Sequence, residues 1–185
     1  MALLYSEHKE MSEVLLSDIN GDRKYTVLDV GANPASLNMV TRKFRYCRID
    51  AACFPGDDTN IASIKAKVSR KNYAIVEKDI CAYTDWGKYD YVFANLLSGE
   101  ADRLGYEYTT LLEGALRVRG TYLIVIDNPE DPDAVFNRIA ECCRGGGYEL
   151  IKEHIVGKDK THRDGTGKIL GSYYKGMLFR LKKTR

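Results

Sequence analysis

The chain has 185 residues, enough for one domain with a hydrophobic core of its own. Its hydrophobic content of 44% is that of an ordinary globular protein, and no apolar run approaches the roughly 18 residues that a membrane span needs. The N-terminus turns polar after four residues, unlike a secretory signal. Composition therefore argues against disordered, secreted and membrane-spanning classes, and it predicts a cytoplasmic protein.

Cysteine usage and charge narrow the class further. The five cysteines, an odd set without CxxC spacing, predict reduced thiols, no disulfide framework and no metal site. Residues 151–185 hold ten Lys or Arg and three Asp or Glu, a net charge of +7, which leaves −5 on the first 150 residues. This asymmetry favours an anionic partner or a basic segment that only aids solubility, and charge alone leaves both open.

The chain opens with a predicted amphipathic helix over Ser6–Asn20, closed by Asn20-Gly21. Strand-like runs and helical patterns then alternate. The predicted strands are Tyr25–Val30, Tyr46–Ile49, Tyr73–Val76, Tyr89–Ala94 and Thr121–Ile126, and the predicted helices are Pro34–Lys43, Asn60–Arg70, Tyr106–Arg117 and Pro132–Cys143. Two final strand-like runs, Tyr148–Val156 and Ser172–Leu181, flank a loop rich in Gly and Lys.

Strands that alternate with helices over short connections form right-handed crossover units and a parallel sheet. The last two strands have no helix between them and predict an antiparallel pair. We therefore expect an α/β fold: a doubly wound, mostly parallel seven-stranded sheet with a C-terminal antiparallel hairpin and helices on both faces. Residues 1–185 are predicted to form a single domain, with a lead-in (1–24), an α/β core (25–145) and the hairpin (146–185).

The turn after the first strand is the clearest site signal. Gly31 follows Val27–Val30 where the chain must turn sharply and a ligand can approach the backbone. Asn33 suits the N-cap and Pro34 the first position of a helix, whose free N–H groups can hold a carboxylate. A dinucleotide site would need a second glycine at the position of Asn33, so the turn argues against NAD.

The string VLDVGANPASL resembles motif I of class I S-adenosylmethionine-dependent methyltransferases, especially the GAxPG variety found among RNA enzymes, with Ala35 in place of its glycine. Residues 111–123 resemble the same family's helix-then-strand signature, and the order of elements resembles it from about Tyr25 to Lys183. The resemblance implies S-adenosylmethionine as cofactor. The residues expected to bind it are Asp29, Gly31, Ala32, Asn33, Asp50, Asp79, Ile80 and Asn95.

Two of these acids are predicted from their positions in the fold. Asp50, at the end of the predicted second strand and about twenty residues after the glycine turn, is where a doubly wound domain places an acid for ribose hydroxyls. Asp79 lies just past the third strand, and the resemblance implies that it bonds the adenine amino group, with Ile80 against the ring.

The family resemblance also suggests a substrate. In this family the end of the fourth strand faces the transferred methyl group, so Asn95, Leu96 and Ser98 should border the substrate. The Lys-Asp-Lys-Glu tetrad of ribose 2′-O-methyltransferases and the Asp/Asn-Pro-Pro motif of amino-directed enzymes are both missing. Guanine N7 needs no general base, so we expect cap guanine-N7 methylation by alignment, with no catalytic residue. The predicted RNA contacts are Tyr106, Tyr108, Tyr173, Tyr174, Lys158, Lys160 and Arg163, with the basic residues in one loop.

The small size resembles methyltransferase domains of viral replicases such as those of nidoviruses. That resemblance implies capped RNA as substrate, replicase or capping proteins as partners, and the host cytoplasm as location, with no membrane and no metal. The alternatives that stay open are a ribose 2′-O-methyltransferase, a small-molecule or protein methyltransferase of the same fold, and a non-catalytic RNA-binding relic.

Overall fold

The computed structural model describes residues 14–79, 87–97, 114, 116–127, 132–145, 147–163 and 169–185. Seven strands and three helices are defined there. The strands are β1 (Val27–Val30), β2 (Ile49–Cys53), β3 (Tyr73–Glu77), β4 (Tyr89–Leu97), β5 (Leu116–Asp127), β6 (Tyr148–Arg163) and β7 (Ile169–Lys183). The helices are α1 (Pro34–Lys43), α2 (Asp58–Lys67) and α3 (Pro132–Arg144).

The strands form one sheet in the order β3-β2-β1-β4-β5-β7-β6. Strands β1 to β5 run parallel to one another, whereas β7 is antiparallel to both β5 and β6. This confirms the predicted fold class, including the C-terminal antiparallel hairpin. We call the end of the sheet where β1–β5 finish the carboxyl edge, and the end where they begin the amino edge.

Hydrophobic cores lie on both faces of the sheet, because alternate residues of each strand point to opposite sides. On one face, Val27 of β1 packs in a cluster with α1, α2 and the buried side chains of Leu15 and Leu16. On the other, Leu28 and Val30 pack in a cluster that includes Ile139 of α3. The sheet is therefore covered by helices on both sides, as a doubly wound fold requires.

The lead-in segment is tied to the amino edge. Residues 14–16 are helical, and the part of the predicted Ser6–Asn20 helix before residue 14 lies outside the described residues. A Cβ atom at Gly21 would lie 1.8 Å from the carbonyl oxygen of Lys43, at the end of α1. Only glycine allows this close approach, so Gly21 fixes where the lead-in crosses α1.

The second strand begins later than the sequence pattern suggests. The predicted strand Tyr46–Ile49 is wrong, because β2 runs from Ile49 to Cys53 and pairs with β1 from Val27 onward. Tyr46 is 60% exposed, whereas the small residues of β2 are buried between the neighbouring strands and helices. The position of β2 is therefore set by burial of its side chains and not by intrinsic β propensity, which favours tyrosine over alanine.

Other boundaries also moved. Helix α2 begins after Asp57, whose side chain accepts a hydrogen bond from the backbone N–H of Asn60, and it ends at Lys67 instead of Arg70. The predicted helix Tyr106–Arg117 is wrong at its end, because β5 already begins at Leu116. Strand β5 includes Gly120, but its pairing with β4 is irregular there: Tyr89 lies opposite Leu116 and Tyr91 opposite Thr121, and Arg119 has φ 69°.

The C-terminal hairpin is longer than predicted. Lys158, Lys160 and Arg163 lie in strand β6 and not in a loop, and Tyr173 and Tyr174 lie in β7. Strand β7 pairs with β5 only as far as Gly176, which lies opposite Asp127. Beyond that point β6 and β7 pair only with each other, which lets both strands extend further than the sheet does.

Candidate functional site

The glycine turn lies where the sequence placed it, at the carboxyl end of β1. Gly31 has φ 63°, in the left-handed region that favours glycine. The N–H of Ala32 donates to the carbonyl of Ala52 in β2 (3.2 Å), and the Asn60 side chain of α2 donates to the carbonyl of Ala32 (2.8 Å). The turn is thereby held by the neighbouring strand and helix. Sequence reasoning did not identify Asn60.

The first turn of α1 is closed by its own residues. The Oδ1 atom of Asn33 accepts hydrogen bonds from the N–H groups of Ala35 (2.9 Å) and Ser36 (3.0 Å). The Oγ atom of Ser36 accepts one from the N–H of Asn33 (3.2 Å), which completes a capping box. Asn33 and Pro34 are confirmed as the N-cap and first residue. The expectation that free N–H groups here hold a carboxylate is wrong, because Asn33 satisfies them.

Asp29 is the most unusual residue of the site. Its side chain is fully buried next to the glycine turn, and its Oδ2 atom accepts a hydrogen bond from the Ser36 hydroxyl (3.2 Å). Its Oδ1 atom has no hydrogen-bond partner among the described residues. Burial raises the pKa of Asp29 to about 8, and the Ser36 bond offsets this only in part. The site therefore contains a buried acceptor that would bind a donor strongly.

The carboxyl ends of β2 and β3 border the same edge. The N–H of Lys78, just after β3, donates to the carbonyl of Cys53 at the end of β2 (3.2 Å). Phe54, the next residue, is 68% exposed and places an aromatic ring there, which sequence reasoning did not identify. Asp79 is exposed and follows β3 as predicted, and Ile80 lies outside the described residues.

Asp50 is placed differently from its prediction. It is the second residue of β2, opposite Leu28, and so does not end the strand. Its Oδ2 atom accepts a hydrogen bond from the Tyr89 hydroxyl (2.8 Å) and lies 3.3 Å from the Lys88 ammonium group. Both partners belong to the start of β4, so Asp50 is bound toward the amino edge. The prediction went wrong because it took β2 to finish at Ile49.

The substrate border is described in part. Asn95 and Leu96 lie within β4, opposite Val125 and Ile126, because the strand continues to Leu97. Leu97 lies opposite Asp127, which places a carboxylic residue at the end of β5. Sequence reasoning missed Asp127, although an acid directly after an apolar strand was the same signal that selected Asp79. Ser98, Tyr106 and Tyr108 lie outside the described residues.

The hairpin reaches past the carboxyl edge. Lys158 lies opposite Tyr174 and Asp159 opposite Tyr173, both beyond the Gly176–Asp127 pair where the sheet ends. Residues 169–175 of β7 therefore extend roughly 20 Å further, at about 3.3 Å a residue. The predicted RNA-binding residues of the hairpin thus lie beyond the carboxyl edge, the same end of the sheet as the Gly31 turn.

Two absences apply only to the part of the chain that the structure describes. No group of three or more His, Cys, Asp or Glu residues is arranged there to hold a metal ion. None of the helices described combines the length and apolar character that crossing a membrane requires.

Comparison with known proteins bears on the fold. No known sequence family and no curated protein sequence matches this chain. Among solved structures, 1,6-didemethyltoxoflavin-N1-methyltransferase of Burkholderia thailandensis, crystallised with its substrate and S-adenosylhomocysteine, has 15% identity and a TM-score of 0.62, over 98% of this chain and 80% of that one. The 16S rRNA (adenine(1408)-N(1))-methyltransferase of Catenulisporales acidiphilia, crystallised with S-adenosylmethionine, has 13% identity and a TM-score of 0.61, over 100% and 93%.

The ribosomal protein L11 methylase of Lactobacillus delbrueckii subsp. bulgaricus has 13% identity and a TM-score of 0.64, over 97% of this chain and 77% of that one. The substrates named for these three proteins are a small molecule, an rRNA and a protein. The chain therefore has the fold of class I S-adenosylmethionine-dependent methyltransferases. At these identities the likeness concerns the fold and leaves the acceptor open.

Proposed function

We propose that the protein is an S-adenosylmethionine-dependent methyltransferase that acts on RNA, with guanine N7 of a cap as the acceptor. The observation that carries the cofactor assignment is Asp29, a buried carboxyl group beside the left-handed Gly31 turn of a methyltransferase fold, with one oxygen to which no described residue donates a hydrogen bond. A buried acceptor of this kind is costly unless a donor binds it. The ammonium group of S-adenosylmethionine is such a donor.

The residues present fit this cofactor. When bound, it supplies an activated methyl group on a sulfonium centre. Asp29 would hold the ammonium end, Phe54 offers an exposed aromatic surface to the adenine, and Asp79 stands at the neighbouring strand end. The first turn of α1 contributes by rigidity, since its capping box fixes Ser36 against Asp29. In the proposed site the protein orients the donor, and it does so with groups held before the ligand arrives.

The RNA part of the proposal is supported by the hairpin. Lys158, Lys160 and Arg163 lie in a strand that extends past the carboxyl edge, next to a partner strand with two tyrosines. Basic side chains attract the phosphates of RNA, and tyrosine rings stack on bases. Guanine N7 has no proton to remove, so its methylation requires only alignment of the lone pair with the methyl group. Replicase or capping proteins are the proposed partners.

A second candidate is transfer to a ribose hydroxyl, and Asp127 is the observation that favours it. An acid at the end of β5, opposite Leu97, is at the sheet edge where a general base would be needed. A positioned base typically contributes about 10²–10⁴-fold to transfer from a hydroxyl. Guanine N7 gains nothing from it. Asp127 therefore separates the two candidates.

Cofactor binding is tested by calorimetry on the wild type and Asp29→Asn. We expect the variant to bind S-adenosylmethionine about 10- to 100-fold more weakly, because it lacks the charge of a buried hydrogen-bond acceptor. Wild-type affinity should rise as the pH approaches 8, because the ligand's ammonium group binds the ionised carboxylate. Asp22→Asn, at an exposed position on the amino edge, is the matched control. Equal affinity for all three proteins would refute the cofactor assignment.

The acceptor is tested with capped RNA and labelled S-adenosylmethionine, followed by nuclease digestion and mass analysis of the cap. The proposal expects the methyl group on guanine N7 and full activity in Asp127→Asn. Label on the first transcribed ribose, together with a loss of 10²-fold or more in Asp127→Asn, would establish the second candidate instead. Transfer to neither position, with intact cofactor binding, would point to a small molecule or a protein as acceptor.

A further inference from the structure

A basic groove lies on the amino edge of the sheet, away from the site described above. It is formed by the loop between α1 and β2 and the loop between α2 and β3, and it encloses a cavity of about 480 Å³. The lining residues are Arg45, Tyr46, Cys47, Arg48, Lys71, Asn72 and Tyr73. Three of the seven are cationic, two are tyrosines and none is acidic. We call this feature the amino-edge groove.

The charge around the groove is strongly one-sided. Residues 41–48 and 65–73 together hold eight Lys or Arg and no Asp or Glu. Four of the eight lie in the last turns of α1 and α2, where cations favourably oppose the helix dipole. The other four, Arg45, Arg48, Arg70 and Lys71, lie past the helix ends. Helix stability does not explain all of them, so they indicate a different role.

The contacts of these four residues show which are available. The Lys71 ammonium group donates to the carbonyls of Lys65 (2.9 Å) and Val68 (2.8 Å), and the Arg45 guanidinium pairs with Asp22 (2.6 Å). Arg48 and Arg70 are exposed, and the described part of the chain gives neither an ion-pair partner. Within the described residues, two positive charges are thus available to a ligand.

Tyr46 gives the groove an aromatic surface. Its side chain is 60% exposed, and the Arg45 guanidinium carbon lies 4.9 Å from the ring centroid. Asn72 supports the loop from beneath, because its side-chain amide donates to the carbonyls of Phe44 (3.0 Å) and Cys47 (3.0 Å). The hydrogen bonds of Asn72 therefore hold the loop in a conformation in which the Tyr46 ring is exposed to solvent.

We propose that the amino-edge groove binds single-stranded RNA, with a base stacked on Tyr46 and phosphates on Arg48 in its lining and on the exposed Arg70, which directly precedes the lining residue Lys71. A positively charged channel with an exposed aromatic ring is the usual arrangement for binding single strands without regard to sequence. A site for free phosphate would need no aromatic surface. The groove lies at the opposite edge from the Gly31 turn and the projecting end of the hairpin, so binding here is expected to be independent of methyl transfer.

The test uses fluorescence anisotropy with a labelled, uncapped oligouridine at several salt concentrations. Tyr46→Ala should weaken binding about fivefold or more, through the lost stacking of one base. Arg48→Gln/Arg70→Gln should make the dependence of log affinity on log salt less steep, reducing the magnitude of the slope by about 1.4, because two single-strand phosphate contacts are lost. The control is Arg144→Gln/Arg185→Gln, which removes the same charge next to the start of β6, at the opposite end of the strand order from β2 and β3. The control should keep a steeper salt dependence than the groove variant.

All variants keep Lys158, Lys160 and Arg163, so the contribution of these hairpin residues to RNA binding cancels in the comparison with the control. Thermal unfolding checks that Tyr46→Ala is folded, as expected for an exposed side chain. A salt slope that falls equally in both double variants would overturn the proposal, since the effect would be one of net charge. So would unchanged affinity in Tyr46→Ala. Binding of the same variants to vesicles that contain anionic lipid is measured in parallel. If the wild type binds these vesicles and the groove variants lose that binding as they lose RNA binding, the groove is assigned to a membrane surface instead.

Discussion

The carboxyl groups at the two edges of the sheet differ in their burial and in their hydrogen-bond partners. At the amino edge Asp90 accepts hydrogen bonds from the N–H (2.8 Å) and hydroxyl (2.9 Å) of Thr26 and pairs with Arg117 (3.3 Å), while Asp50 binds Tyr89 and Lys88. At the carboxyl edge Asp29 is fully buried, and one of its oxygens has no hydrogen-bond partner among the residues that the structure describes. One edge therefore uses its acids to hold strands together, and the other keeps an acid in a state that lowers stability.

The difference separates stability from ligand binding within one sheet. A buried polar group without a partner is tolerated where a ligand will supply the partner, and it costs stability until then. Substitutions at the amino edge should therefore cost stability and spare cofactor binding. Substitution of Asp29 should do the reverse.

The largest expected effect is a gain in stability for Asp29→Asn without ligand. The folded-state pKa of about 8 lies above the ordinary value of 3.8, so the folded protein holds a proton that the unfolded chain has lost. The contribution of Asp29 to stability is complete below about pH 4 and is lost as the pH rises to 8. We expect Asp29→Asn to be more stable by about 5 kcal/mol at pH 8 and equal at pH 4, by urea unfolding, because each unit of the pKa difference is worth about 1.4 kcal/mol. A constant difference across this range would show that Asp29 does not titrate.

Asp90→Ala should lower the free energy of unfolding by about 2–3 kcal/mol. The change removes a charged acceptor from two hydrogen bonds and leaves the Thr26 groups without it. Urea unfolding at pH 7 gives the loss, and calorimetry on the same sample should give wild-type affinity for S-adenosylmethionine. A large loss of affinity for S-adenosylmethionine in a folded Asp90→Ala protein would contradict the separation of stability at the amino edge from ligand binding at the carboxyl edge.

Tyr89→Phe is the smallest change, with an expected loss of about 1.5 kcal/mol from one hydrogen bond to a carboxylate. The buried ring is kept, so packing is unchanged. The variant also tests Asp50, because it frees that carboxylate from its shortest contact. Unchanged cofactor affinity is expected. Affinity that rises in Tyr89→Phe would show that Asp50 serves the cofactor after all and that Tyr89 competes for it.

The sequence was sufficient for the parts of the fold where local chemistry and burial agree. Helix α1 has exactly the predicted bounds, because Asn33 caps it and Pro34 suits its first position. The parallel arrangement of β1 to β5 follows from alternating strands and helices with right-handed crossovers. Helix and strand identities were therefore predictable wherever the apolar pattern was long.

The failures occurred where distant contacts decided the outcome. Strand β2 is built from Ala51, Ala52 and Cys53, small residues whose burial depends on how closely β1 and α1 approach. The pattern pointed to the more β-prone Tyr46, and this error moved Asp50 to a strand end that it does not occupy. The hydrogen bond from Asn60 to the carbonyl of Ala32 is likewise set by the packing of α2 against the Gly31 turn, which the sequence alone does not show.

Strand β7 has a consequence for synthesis of the chain. It is the last strand in sequence, yet it lies inside the sheet and is bonded to β5 on one side and β6 on the other. Until the ribosome has released residues up to Lys183, β5 keeps an unpaired edge next to apolar side chains, and β6 has no neighbour in the sheet. Exposed strand edges recruit other chains. The nascent protein should therefore be most prone to aggregation in the moments before β7 emerges, and chaperone binding to this sheet should end abruptly when it does.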